Sequence, residues 1–241
     1  MELLVHELRP GLWRWTAPHP AWEPKDDRPD GWGRMVGSIY YEPGGPDMDP
    51  IVLIDPLVPA EGTVEGVRFW QALDRDVYRS GRPVAVLLGN EFHTRSAKAV
   101  HDRYTNEVGV SVWGHPTTCA RLAGVATVAV TERAPLMAGV EAYPIRGLGE
   151  SEIAFRILSH HALVFSDAVM GTGGGGLRVA PESWAPRTPE GAERYRREFR
   201  ASLRELLLPP IDMILVSHGE PVLAGGFEAL TEALLAPALG E

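Results

Sequence analysis

Apolar positions along this chain follow two rhythms. Near the N-terminus the segments LLVHEL and LWRWTA flank Arg9-Pro10-Gly11, a turn-forming group, which predicts an opening hairpin. Residues 35–42 (MVGSIYYE) and 51–55 (IVLID) predict two more strands joined by a Gly/Pro/Asp turn, and four strands in a row imply a sheet built from hairpins. The rhythm then changes: Val64, Val67, Phe69, Trp70, Leu73 and Val77 recur at helical spacing, and Ser80-Gly81 closes the run. The short apolar stretch 84–88, with Pro83 before it and Gly89-Asn90 after it, reads as a strand covered on both faces.

Strand and helix alternate from there on. Residues 97–104 predict a helix and 108–113 a strand, completing a βαβ-type unit. A helix over 117–123 and a strand pair at 125–130 and 140–145 follow. Strands at 152–158 and 162–166 meet at His160-His161, and a long amphipathic helix over 190–208 is closed by Pro209-Pro210. A buried strand at 211–216 and a helix at 228–235 end the chain.

Two stretches have no periodicity. PHPAWEPKDDRPDGWG, within residues 17–33, reads as a long loop whose His19, Trp22 and Trp32 are placed to cover a pocket or to pin the loop to the body. The run GTGGGGLRVAP lacks the Gly-Lys-Ser/Thr of a phosphate-cradling loop, so a flexible loop is expected there.

Composition narrows the function classes. With 241 residues, 44% of them hydrophobic and 23% charged, the chain has the makeup of a soluble globular protein, and a single domain spanning 1–241 is expected. Its formal charge of −9, without a basic cluster, argues against a nucleic-acid partner. The arginines at 194–204 are interleaved with Glu193, Glu198 and Glu205, the pattern of a solvated helix face. Cys119 is alone, which excludes an internal disulfide and a Cys-rich zinc ribbon. No apolar run reaches the roughly 20 residues that span a bilayer, and no leader pattern opens the chain, so no membrane partner and a cytoplasmic location are expected.

Chemistry concentrates at the ends of the buried strands. Glu91, His93 and Arg95 follow the strand at 84–88 at alternate positions, so an extended loop would turn all three one way. Asp167 follows another strand, and His218 a third. A strand with alternating ligands after it, a later strand ending in SDA and a last one ending in SHG resemble the metallo-β-lactamase fold family over nearly the whole chain. LIDPL is similar to that family's strand running up to an aspartate. The resemblance implies an α/β protein, an αββα sandwich of two mixed sheets flanked by helices, and the order of hairpins and strand-helix units agrees with it.

It also implies metal ligands, and here the sequence departs from the family pattern HxHxDH. Glu91 stands at the first histidine, His93 matches the second, Arg95 replaces the aspartate and Ser96 the third histidine. Leu148, in GLGESEIAF, sits where a further histidine is expected. Asp167 matches the bridging aspartate and His218 the last histidine. A two-metal hydrolytic centre is therefore not expected.

Two readings remain. Glu91, His93, Asp167 and His218 would hold one divalent ion, zinc, manganese or iron; or Arg95 neutralises Asp167 or Glu91 and no metal binds. We favour the second, because a guanidinium has only donors. Ser96, His93 and Asp167 suggest a nucleophile, base and carboxylate, yet no G-x-S-x-G elbow supports them. His6, His101, His115 and the pair His160-His161 read as structural or exposed. The function expected is a hydrolase-like protein with a depleted metal centre, acting on or binding a small molecule. The alternatives are a single-metal hydrolase of small esters, thioesters or lactams, with His93, Asp167 and Arg95 as catalytic candidates, and a non-catalytic binding protein.

Overall fold

The computed structural model describes residues 3–44 and 49–236. Among these residues fourteen strands are distributed over two large mixed sheets and a hairpin. The first sheet runs β1 (Leu4–Arg9), β2 (Leu12–Pro18), β3 (Met35–Tyr41), β4 (Ile51–Ile54), β5 (Val84–Leu87), β6 (Val110–Gly114) and β7 (Thr127–Ala129), in chain order. Its first four strands pair antiparallel, as consecutive hairpins must, and β4 to β7 pair parallel through helical crossovers. Those crossovers are α1 (Val64–Ser80), α2 (Ala97–Tyr104) and the short α3 (Pro116–Cys119).

The second sheet has the order β14-β11-β10-β9-β8. Its strands are β8 (Ala134–Pro135), β9 (Val140–Pro144), β10 (Ile153–Ile157), β11 (Ala162–Phe165) and β14 (Met213–Val216), and only β11 and β14 pair parallel. The crossover between those two contains α4 (Pro189–Arg194), a π-helical turn at Tyr195–Phe199 and α5 (Arg200–Arg204), followed by a cis bond at Pro209-Pro210. The last helix is α6 (Gly226–Leu235).

Alternation along the buried strands shows why four layers form. Ala85 and Leu87 of β5, with Val52 and Ile54 of β4, face Phe155, Ile157, Val164 and Leu215 of the other sheet, so the two sheets share one core. Val84, Val86 and Leu88 face the opposite way and pack beneath Leu73, Val77, Val100 and Tyr104 of α1 and α2. On the far side, Leu163, Phe165 and Ile214 are covered by Phe199, Leu203, Leu230 and Leu234 of the C-terminal helices. The result is the expected αββα sandwich of two mixed sheets. Among the described residues no helix is long and apolar enough to cross a membrane.

Three sequence expectations need correction. The strands expected to pair at 125–130 and 140–145 lie in different sheets: β7 pairs with β6, and β9 pairs with β8 and β10. The helix expected over 117–123 stops at Cys119. The glycine run, expected as a loop, forms the turn of a hairpin between β12 (Val169–Gly173) and β13 (Gly176–Val179), with Gly173, Gly174 and Gly175 all at positive φ, a conformation that side chains disfavour.

At the end of β5 the sheets approach so closely that only glycine fits. A Cβ on Gly89 would lie 1.7 Å from Ser166 Oγ and 3.1 Å from the Ile153 carbonyl. Gly89→Ala is therefore expected to destabilise the protein by about 3 kcal/mol, the upper end of overpacking costs, read as a lowered midpoint in urea unfolding.

Candidate functional site

Strands β4, β5, β11 and β14 all deliver their C-terminal ends to one rim of the sandwich, where Asp55, the 88–96 loop, Ser166-Asp167 and Ser217-His218 meet. At the centre lies the buried carboxylate of Asp55. Its Oδ1 accepts from Gly89 N–H at 2.8 Å, and its Oδ2 accepts from Ser166 Oγ–H and contacts His93 Nδ1 at 2.7 Å. The backbone there is in the left-handed region, φ 49°. Although burial opposes ionisation, His93 and then Arg95 and the Gly89 amide hold Asp55 below the usual carboxylate range.

The chain after β5 does not stay extended. Asn90 Oδ1 accepts from Phe92 N–H at 2.9 Å and the Asn90 carbonyl from His93 N–H at 3.2 Å, so the loop turns back on itself. Glu91 consequently points away and pairs with Arg121, while His93 turns inward. Asn90 donates through Nδ2 to Glu152 Oε2 at 2.9 Å and to Asp167 Oδ2 at 2.8 Å, joining two carboxylates that would otherwise repel. Glu152 Oε1 also accepts from the amides of Asp167 and Ala168, each at 2.9 Å. Burial and the Asp167 charge still push its carboxyl up to about 8.

Asp167 is the hub of the second half. Its Oδ1 lies 2.9 Å from His218 Nε2 and 3.2 Å from His93 Nε2, and these two rings hold it well below the ordinary range in spite of burial. His93, Asp167 and His218 offer ligand atoms within 4.8 Å of one another, a metal-sized cluster among the described residues. Glu91 does not join them.

Arg95 enters the cleft, as expected, but its partners are different. It sits at φ 30° and donates to the carbonyls of Gly37 (3.3 Å) and Asp55 (3.2 Å), while its NH2 group lies 3.0 Å from His93 Nε2. The expected bidentate contact with Asp167 or Glu91 is not formed: Asn90, His218 and His93 engage Asp167, and Arg121 takes Glu91. Ser96 Oγ accepts from Val58 N–H at 2.9 Å, so it ties a loop rather than facing His93.

Whether a metal fits is decided at His93 Nε2. In the neutral ring Nδ1–H donates to Asp55 and Nε2 accepts from Arg95, since a guanidinium can only donate. In the charged ring Nε2 carries a proton toward Asp167. Burial and Arg95 oppose that form, but Asp55 and Asp167 outweigh them and raise His93 to about 9. In the neutral ring the Arg95 guanidinium takes up the Nε2 lone pair, and its charge lies alongside. As arranged, Arg95 occupies the His93 acceptor that a metal ion would need, while His93, Asp167 and His218 keep ligand atoms within 4.8 Å of one another.

A cleft of about 430 Å³ opens over this group. His19, Trp32, Phe92, Leu148 and Trp184 contribute to its walls, and Trp32 packs edge-on to His218 with ring centroids 5.3 Å apart. The 17–33 segment thus forms one wall; Trp22 closes the loop on itself, donating to the Trp32 carbonyl at 3.1 Å. Burial, followed by Arg95, His93 and His218, depresses His19 to about 4. His160 and His161 stay away from the cleft, bonded to the Pro10 carbonyl and to Asp212. Sequence reasoning gave no role to Asn90, read only as a turn residue, or to Glu152, whose one signal was a carboxylate opening an apolar strand.

No protein-family model matches the sequence, and no curated protein does. Solved structures are similar over nearly the whole chain. A metallo-β-lactamase from Hirschia baltica is 16% identical, with a TM-score of 0.58 covering 98% of this chain and 97% of that one. One from Pontibacter korlensis is 13% identical, TM-score 0.60, covering 98% and 100%. FIM-1 from Pseudomonas aeruginosa, in a mono-zinc form, is 9% identical, TM-score 0.60, covering 98% and 96%.

Removing the Asp55 carboxylate would strand a buried imidazole, a buried hydroxyl and an amide at once. Asp55→Ala is expected to cost about 3–5 kcal/mol, the range for breaking a buried charged pair; a denaturant midpoint unchanged from the parent would contradict the central role given to it.

Proposed function

We propose, on the premise that this chain has the metallo-β-lactamase fold, that its cleft is a depleted metal centre that binds a small molecule without dinuclear zinc hydrolysis. The observation that carries the reading is the Arg95 guanidinium 3.0 Å from His93 Nε2. Arg95 places a fixed positive charge beside Asp55 and Asp167, and so balances buried carboxylates that would be costly alone. Unlike a metal ion, it cannot coordinate and activate a water. Its nitrogens are also directed by the carbonyls of Gly37 and Asp55, which keeps the charge in place.

The walls suit a compact ligand with an aromatic or apolar body. Trp32, Trp184, Phe92 and Leu148 offer apolar surface, while Arg95, His19 and Asp167 offer polar anchors on the cleft lining. A second reading, a single-metal hydrolase of a small ester, thioester or lactam, is favoured by the convergence of His93, Asp167 and His218 alone. It requires Arg95 to swing away.

Elemental analysis of protein purified without a metal-chelating tag separates the two. Substantially less than one equivalent of zinc, iron or manganese is expected, and Arg95→Ala should bind zinc about tenfold tighter or more, because it frees His93 Nε2 and removes a like charge. Near-stoichiometric metal in the unmodified protein, lost in His93→Ala or His218→Ala, would overturn the depleted-centre reading in favour of the hydrolase.

A further inference from the structure

On the other side of Trp32 and His218 lies a second, larger cleft of about 900 Å³. It runs between the β1–β2 hairpin, the strip from Asp27 to Met35, the β12–β13 hairpin and the turn Gly219-Glu220-Pro221. Apart from His218, which with Arg28, Gly31 and Trp32 lines both clefts, the site groups described above do not face it. Its lining is unusual in one respect: two arginines face it from opposite elements, each holding a buried guanidinium nitrogen that has no hydrogen-bond partner.

Arg14, on β2, is only 8% exposed. Its NH2 group donates to the carbonyls of Val216 (3.2 Å) and Gly219 (2.8 Å), while Nε is unpaired. Space for this guanidinium exists because residue 37 is glycine; a Cβ there would lie 2.7 Å from NH2 and 2.8 Å from Nε. Arg178, on β13, donates from NH2 to the Gly31 carbonyl at 2.6 Å and leaves NH1 buried and unpaired. Both side chains are therefore held in place by carbonyls, which orient them without neutralising them.

Nearby carboxylates do not complete either group. Glu220 and Asp30 exert a field on Arg14 and Arg178 respectively, yet burial prevails and lowers the pKa of both arginines, that of Arg14 to about 10. Arg14 is a buried cation with an unmatched donor, which is unfavourable by itself, and the half-buried Arg178 adds a second positive charge to the lining of the same cavity. An oxyanion is the complement, because a carboxylate or phosphate accepts from guanidinium donors with charge assistance. Part of the lining suits what the anion is attached to: Leu4, Leu8, Met35, Met170 and Leu223 supply apolar surface, with Leu4 and Leu223 48% and 41% exposed, while Arg28 and Arg34 and the carboxylates of Glu7, Asp27 and Glu220 line the same cleft.

We infer that this second cleft is a binding site for an organic oxyanion, a carboxylate or a phosphate monoester on an apolar chain, with Arg14 and Arg178 donating to its oxygens. The site stands apart from the Arg95 cleft and does not depend on whether that one holds a metal. The shared wall of Trp32 and His218 places the two ligands back to back.

Isothermal titration with octanoate, octyl phosphate and uncharged 1-octanol tests this. Saturable binding is expected for at least one of the two anions, about tenfold tighter or more than for octanol, and the tighter headgroup identifies the ligand class. Arg178→Gln should weaken that anion about tenfold or more, whereas Arg68→Gln, on the exposed face of α1, should leave it unchanged. Arg14→Lys should weaken it likewise. Should that variant fail to fold by circular dichroism, Arg178→Gln decides, since Arg178 is only half-buried. Equal affinity for octanol, no saturable binding of either anion, or unchanged affinity in folded Arg178→Gln would each overturn the inference.

Discussion

The site depends on one buried carboxylate. Asp55 follows β4 of the first sheet, and through its two oxygens it fixes Gly89 beyond β5, the ring of His93 and, across the sandwich, Ser166 just after β11. Its own carbonyl accepts from Ser38 Oγ–H and from Arg95, so β3 and the loop before α2 are held as well. Elements from both sheets are thus brought to a common point by one charged group that burial alone would disfavour. The stabilisation must come from the donors around it, because a carboxylate in the interior is costly unless its lone pairs are filled.

Positive charge is organised around Gly37 in the same manner. Its carbonyl accepts from Arg95 and from Ser217 Oγ–H, while its bare Cα admits the Arg14 guanidinium on the side of the second cleft. A single glycine in β3 therefore separates two arginines that line two cavities. Asp167 balances the first arrangement, with His218 and Asn90 filling its oxygens. Asn90 is the residue that makes the crowding of acids tolerable, since one amide group bridges Glu152 and Asp167.

Much of the fold was legible because strands and helices impose different periods on the apolar positions. The hairpins of β1 to β4, the buried β5, and the helices that flank them follow directly from those periods. Pairing partners did not, since β7 and β9 both read as strands yet belong to different sheets; periodicity marks a strand, not which neighbour it meets, and β7 is itself an exposed edge. The glycine run was illegible for another reason, as positive φ is compatible with a tight hairpin and with a loose loop alike. At the site, the rule that alternate residues share a face failed for Glu91, His93 and Arg95 because Asn90 turns the chain immediately after β5. Glu91 then meets Arg121, and Arg95, itself at positive φ, meets carbonyls rather than carboxylates. The roles of Asn90 and Glu152 exist only through contacts distant in sequence, so no local pattern announces them.

That distance has a kinetic meaning. The bond from Ser166 to Asp55 spans 111 residues and those from Arg14 to Val216 and Gly219 span 202 and 205, so neither cleft can be assembled from a local segment. Loop closure on this scale must precede any stabilisation from these contacts, and parallel pairing such as β11 with β14 adds to the delay. During synthesis Arg14 emerges early and its carbonyl partners near the end of the chain, which makes both clefts late products of folding. Any ligand they hold will therefore act on the completed protein, slowing its unfolding rather than guiding its formation.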